Sequence, residues 1–429
     1  MLVSALGVGA RSFHLGIPPK GPRGAGTIFD EAYYVNAARL IAGVPMAPAD
    51  RYFRAAPRGS DPNAEHPQLA KMVIAAAIEI GGDNPTAWRV TAVVFAFAGL
   101  LLLYWLVRCA GGGPWLALGA SALASFENLW LVSGRIAVLD IYCVPFLLAG
   151  VGCYLRRGPI VAGVLLGIGA CFKEVALLGV AVVIALEAIR AIQWLAAGRT
   201  TRRSLRRVMR PVMLALVTVV AFASCLAILD SAVTPYSGGH PVTRGQAAIC
   251  SDVWLWRSAC NHIAFMASFA NKLRSVNGPK GIASYPWQFW ADVKQIPYFK
   301  EAVTVSVNGR VAHTATVVNF RGLISRVLLF TSWAAILASV WWAFRRRDTI
   351  SLLIIAWILG TWLPIEALSV FESRTSYLYY MVITMPALFI AVSRLLAWRR
   401  IPRPAVGLWV LLYLAEFVTL YPFRTFSGH

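Results

Sequence analysis

Charge is what this sequence has least of. Only 14% of its 429 residues are Asp, Glu, Lys or Arg, where a soluble domain carries about a quarter. That scarcity argues against a soluble enzyme. Acids are rarer than bases, 19 against 40, and the net charge is +21. The seven cysteines lack the paired spacing of a metal-binding site. No internal repeat is visible. No pair of broken helices recurs in corresponding halves, the usual pointer to a secondary transporter. What is abundant is apolar: 58% of residues are hydrophobic, 16 are Trp, and the mean hydropathy is +0.64. Apolar runs of about 20 residues recur, the length that crosses a bilayer. The chain reads as an all-α, polytopic integral membrane protein.

A charge of +21 would suit a nucleic-acid binder, but its distribution does not. Fifteen arginines fall in five short gaps between apolar runs, at 108, 156–157, 199–210, 345–347 and 399–403, with Asp348 the single acid beside them. Basic residues hold short loops on the cytoplasmic side during insertion. The charge is topological, and no nucleic-acid partner is expected. Spans are expected near 1–16, 86–107, 115–132, 136–155, 158–172, 175–196, 211–229, 323–344, 350–370, 376–397 and 404–421. With every basic gap inside, 17–85, 230–322 and the C-terminal tail lie outside. The organisation is a first helix at 1–16, an outer loop at 17–85 and helices two to seven over 86–229. A large outer loop at 230–322 and helices eight to eleven over 323–429 complete it. The first span carries Arg11 and lacks the flank and cleavage site of a signal peptide; it reads as the second half of a helix that starts upstream.

Five cysteines, Cys109, Cys143, Cys153, Cys171 and Cys225, lie in or beside apolar spans and read as small hydrophobes. Cys250 and Cys260 lie in the large outer loop, where an oxidising compartment lets them pair. Charged residues beside spans are costly in lipid and mark functional sites by default. Here they gather at the outer level: Arg135 with Asp140, Lys173 with Glu174, Glu366 and Glu372 with Arg374, and Arg321 with Arg326. Glu127, Asp230 and Glu416 also fall in outer halves. A conduction path needs polar groups through the membrane centre. This belt builds a polar site at the outer face instead.

The sharpest segment is Phe29-Asp30-Glu31-Ala32-Tyr33-Tyr34, followed by Glu65-His66-Pro67-Gln68-Leu69-Ala70-Lys71. Adjacent acids before an amphipathic stretch can simply cap a helix lying on the membrane. Asp-Glu-x-Tyr-Tyr followed by Glu-His-Pro-x-Leu-x-Lys also resembles the first outer loop of the GT-C glycosyltransferase superfamily, most of all its protein O-mannosyltransferases of bacterial type. Further similarities follow in order. Ser133-Gly134-Arg135 through Asp140 resembles the Arg-x-x-x-x-Asp of the fourth span. Gly167-Ile168-Gly169 through Lys173-Glu174 resembles a Gly-rich span ending in Lys. Tyr285-Pro286-Trp287 resembles an aromatic segment of the large loop, and Ser373-Arg374 with Tyr377, Tyr379, Tyr380 and Pro386 resembles a late Arg-aromatic segment.

The resemblance implies a GT-C-like bundle of about eleven transmembrane helices in the plasma (inner) membrane, with its active site on the extracytoplasmic face. It implies transfer of a sugar, mannose foremost, from a polyprenyl-phosphate carrier to an acceptor hydroxyl, with inversion. The acceptor would be a secreted protein or an envelope glycan or lipid. Asp30, with Glu31, takes the catalytic position, because a hydroxyl needs a carboxylate to accept its proton as it attacks. Arg135, Lys173 and Arg374 are the cations for the leaving phosphate. Glu65, His66, Lys71, Asp140 and Trp287 are further site candidates.

Plainer roles compete. Arg135 can pair Asp140, Lys173 can snorkel, Arg374 can pair Glu372 or Glu366, and Glu31 can orient rather than react. Glu65 and His66 could hold a divalent metal, as a Glu and His do in the related aminoarabinose transferases, although one such pair is short of a site. No other cofactor is implied. The chain departs from the family in reading His-Pro-Gln-Leu rather than His-Pro-Pro-Leu, and in having no evident sugar-binding insertion in 230–322. The alternatives are an aminoarabinose or arabinose transferase and, from another class, a transporter or flippase for lipid-linked sugars.

Overall fold

The computed structural model describes residues 2–20, 26–45, 53, 55–196, 204–238, 240–242, 250, 256–307 and 310–422. Helices dominate, and no sheet closes. After α1 (Leu2–Ser12), the first outer section holds α2 (Glu31–Ile41) and α3 (Leu69–Gly81). The bundle then runs through α4 (Pro85–Cys109), α5 (Pro114–Ser125), α6 (Asn128–Ser133), α7 (Leu139–Arg156), α8 (Pro159–Phe172), α9 (Leu178–Leu195) and α10 (Ser204–Ala232). The large loop carries α11 (Arg257–Lys272). The last helices are α12 (Arg326–Arg346), α13 (Thr349–Glu372), α14 (Met385–Leu396) and α15 (Arg403–Leu420).

Among the described residues, seven helices are long and apolar enough to cross a membrane, and Pro159–Phe172 and Met385–Leu396 are shorter apolar helices. Packing is closest where glycine removes a side chain. A Cβ on Gly163 would sit 2.8 Å from the Val217 side chain, and one on Gly167 would sit 2.7 Å from Ala221. These two glycines, four apart on α8, let α10 approach backbone to backbone, the small-xxx-small logic of membrane helices.

The expected third span is broken. It is α5 and α6, parted at Phe126 and Glu127, where Glu127 accepts from the Trp130 N–H and so caps α6. The carbonyls freed at the end of α5 are met by Arg11, which is fully buried and donates to Ala124 and Ser125. Arg11 therefore does not merely interrupt a short helix; it repairs another one. Glu127 also accepts from the backbone of Ser325, and Glu416 accepts from the N–H groups of Arg326 and Val327. Two acids from distant helices thus satisfy the open amides at the start of α12.

The large loop at 230–322 carries strands as well as a helix. Strands β4 (Ile296–Val307) and β5 (Arg310–Gly322) pair antiparallel as a long hairpin. A smaller sheet joins β1 (Ser60–Asp61) in parallel to β2 (Thr234–Ser237), which pairs with β3 (His240–Pro241) and so ties the two outer sections together. Cys250 and Cys260 form a disulfide with their Cα atoms 5.9 Å apart, as expected.

Candidate active site

Phe29 holds a left-handed φ of 53°, a conformation rare for a bulky residue and one that clusters at functional sites. It delivers the next residue to the start of α2. Asp30 occupies the N-cap position, yet its side chain makes no capping hydrogen bond. The capping reading therefore fails for Asp30. Glu31 accepts from the N–H of Ile28, which lies before the helix, at 2.7 Å.

Glu31 is also fully buried. Arg89 reaches it from α4 through Nε at 2.9 Å and Nη2 at 2.8 Å, and the Ala137 N–H donates to it at 2.9 Å. Arg89 in turn donates to the carbonyls of Leu15, Ile17 and Gly26. The catalytic pairing of Glu31 with Asp30 is corrected on this geometry: Glu31 holds the outer loop to the bundle, because its oxygens are occupied by structural donors.

Asp30 keeps different company. Burial raises its carboxyl to about 6; Asp140 pushes the same way, while Lys173 and His66 draw it back down. Lys173, only 3% exposed, follows the end of α8 and donates to Asp140 at 2.7 Å. It does not snorkel. Its ammonium lies 5.4 Å from the ring centre of Tyr379 and 5.9 Å from that of Tyr380, a cation–π setting. Asp140 is thus the partner of Lys173 and not of Arg135. His66 Nδ1 sits 3.1 Å from both oxygens of Glu174. Phe29 stands edge-on to Tyr298 at 4.6 Å and to Tyr379 at 5.9 Å. The result is a carboxyl group poised near neutrality beside one cation, walled by tyrosines.

The remaining candidates separate. Arg135 is buried; it donates to the carbonyls of Phe13 and His14 and lies over the rings of Phe320 and Tyr421. Those contacts fasten the end of α1 to the bundle. Lys71 is also buried, 2.5 Å from Asp61 and 2.9 Å from the His66 carbonyl, so it braces the His66 loop from beneath. Glu65 accepts from Asn63 at 2.6 Å. His66 faces Glu174 rather than Glu65, which corrects the pairing proposed for a metal. Among the described residues, no group of three or more His, Cys, Asp or Glu is arranged to hold one.

Arg374 pairs with neither Glu372 nor Glu366: it donates to the Ala270 carbonyl, while Glu372 takes Arg274 at 3.0 Å. Arg374 and Trp287 line a common cavity of about 350 Å³. Two contributors escaped the sequence reading, Arg89 and Tyr298. Arg89 offered a signal, as a lone arginine inside the first turns of an apolar span. Tyr298 offered none.

The comparisons with known proteins now bear on this arrangement. Residues 86–233 match the family described as dolichyl-phosphate-mannose-protein mannosyltransferase. A polyprenol-phosphate-mannose–protein mannosyltransferase of Corynebacterium glutamicum is 30% identical over 91 residues, which is 21% of this chain and 18% of that protein's length. Among solved structures, the S. cerevisiae Pmt1–Pmt2 complex bound to the sugar donor is similar at a TM-score of 0.66 and 12% identity, over 98% of this chain and 89% of that one. The chain shares the fold of that structure. ArnT of Cupriavidus metallidurans bound to undecaprenyl phosphate is similar at 0.56 and 14% identity, over 96% of this chain and 62% of that one. The oligosaccharyltransferase AglB of Archaeoglobus fulgidus, in complex with an inhibitory peptide and a dolichol-phosphate, follows at 0.53 and 14%, over 98% and 56%. The two bacterial relatives are longer than this chain, which spans under two thirds of ArnT and under a fifth of the C. glutamicum protein.

Proposed function

We propose that the protein transfers a sugar, mannose foremost, from a polyprenyl-phosphate carrier to an acceptor hydroxyl on the extracytoplasmic face of the plasma membrane. The observation that carries this reading is Asp30, left uncapped at a helix start, raised to about 6 by burial and set beside Lys173. A carboxylate with that affinity for protons suits a general base working near neutral pH.

The acceptor oxygen attacks the anomeric carbon and its proton passes to Asp30. The bond to the phosphate oxygen breaks with inversion, and polyprenyl phosphate leaves. Lys173 is the cation for the charge that grows on that phosphate, and Asp140 keeps its ammonium in place. Arg135 has no part in this step.

The family match, the C. glutamicum relative and the Pmt1–Pmt2 likeness favour mannose, while the likeness to ArnT supports a lipid-phosphate donor without naming the sugar. The test is sugar release by purified protein in lipid from a panel of polyprenyl-phosphate sugars, with Asp30→Asn alongside. Consumption of one donor by the wild type alone supports the reading, and analysis of the product anomer checks the inversion. Equal turnover by both proteins removes Asp30 from its role. No turnover with any donor, with envelope acceptors present, overturns the reading in favour of transport.

A further inference from the structure

The cavity at Arg374 lies beside the Asp30 group and has a different chemistry. Five of its lining residues are serines, Arg374 is the one charged residue among them, and no acid takes part. One wall is an aromatic platform. Tyr285 and Trp287 stack at 4.2 Å with their planes 9° apart, and nearly half of Trp287 remains exposed. The platform is rigid. It opens the short helical turn Pro286–Ala291, where Tyr285 and Gln288 cap each other, and the Trp362 indole donates to the Pro286 carbonyl at 3.3 Å.

The main chain around the cavity is already engaged. The Ser275 N–H donates to Ser373, the Thr375 N–H to Leu273 and the Ser284 N–H to Ser376. Among the side chains, the Ser275 hydroxyl meets Thr375, the Ser376 hydroxyl meets the Arg374 carbonyl and one Arg374 nitrogen meets Ala270. This leaves the hydroxyls of Ser284, Ser369 and Ser373, the other guanidinium N–H groups and the exposed part of Trp287 to recognise a ligand. That set fits a saccharide, whose hydroxyls meet serines while the C–H face of its ring lies on indole. It does not fit a peptide added as a strand, which needs free backbone groups. Ser376 also leads directly to the reacting end: the next ring, Tyr377, stacks on Tyr379 at 5.4 Å, and Tyr379 meets Phe29 at 5.9 Å.

We propose that this cavity seats the sugar ring of the acceptor, so that the acceptor is a glycan or glycolipid. The proposal rests on the transferase reading above and names its acceptor class. It is tested by binding, so its failure can be told apart from a failure of the donor chemistry. Saturation-transfer NMR on the protein in nanodiscs would use methyl glycosides of mannose, glucose and galactose in solution, octyl mannoside in the bilayer and a threonine-containing hexapeptide. We expect at least one glycoside to bind. Trp287→Ala should weaken it by roughly 2- to 12-fold, in line with the loss of one aromatic stacking contact, while Trp287→Phe retains it. Binding of the methyl glycosides identifies a soluble glycan and binding of octyl mannoside alone a glycolipid; either supports the site. Binding of no glycoside, undiminished binding by a folded Trp287→Ala protein, or Trp287-dependent binding of the hexapeptide instead would overturn it.

Discussion

The two ends of the helical bundle use the same cations in opposite ways. At the Asp30 end, Arg11, Arg89, Arg135, Lys71 and Lys173 are each 3% exposed or less, and each donates to a named carbonyl or carboxylate. At the other end, Arg156, Arg157, Arg345, Arg346, Arg347, Arg399, Arg400 and Arg403 stand exposed. There the main ion pair is Arg394 on Asp348 at 2.6 Å, itself partly exposed. Exposed arginines in short loops are the kind that orient a membrane chain during insertion. Buried ones are architectural, and removing one strands its partner.

That contrast can be broken most severely at Asp30. Asp30→Asn keeps the shape and removes the base, so turnover should fall roughly 100- to 10,000-fold, read from donor consumption in lipid. The next largest effect is expected from Arg89→Gln, which leaves Glu31 buried without its cation. A buried pair broken on one side costs about 3–5 kcal/mol, seen as a lowered thermal midpoint and loss of folded protein.

The pH profile sharpens the same point. With Asp30 raised to about 6, the basic form dominates at pH 7 and turnover should fall as pH drops through 6. The stability effect has the opposite sign. A carboxyl whose folded pKa lies above its unfolded one favours the fold at low pH and loses that contribution as pH rises through 6. Asp30→Asn should therefore stabilise the protein at neutral pH by on the order of 1–2 kcal/mol, while leaving it inactive. The smallest effects belong to the other end. Arg394→Gln should cost no more than about 1 kcal/mol, as partly exposed ion pairs do, and Arg346→Gln should leave turnover unchanged.

The helices were legible because hydropathy runs are local signals. The disulfide was legible from two cysteines sharing one outer loop. The hairpin was legible too and was missed: Asn308-Gly309 separates two Val- and Thr-rich runs, a strong short-range hairpin signal. The partners of the charged residues were not legible. Glu31 meets Arg89 across 58 positions, Lys173 meets Asp140 across 33 and His66 meets Glu174 across 108, separations that no periodicity reports. Adjacent acids looked equivalent in the sequence. Only the fold gives Glu31 four donors and leaves Asp30 uncapped.

The contact between Arg11 and the end of α5 also sets an order of events during synthesis. Arg11 stands in the last turn of α1, where an arginine costs less than the about 2.5–3.5 kcal/mol of a helix centre but is still unfavourable in lipid without a partner. Its remedy, the open carbonyls of Ala124 and Ser125, is more than a hundred residues downstream. The ribosome must therefore deliver α4 and α5 before α1 can settle.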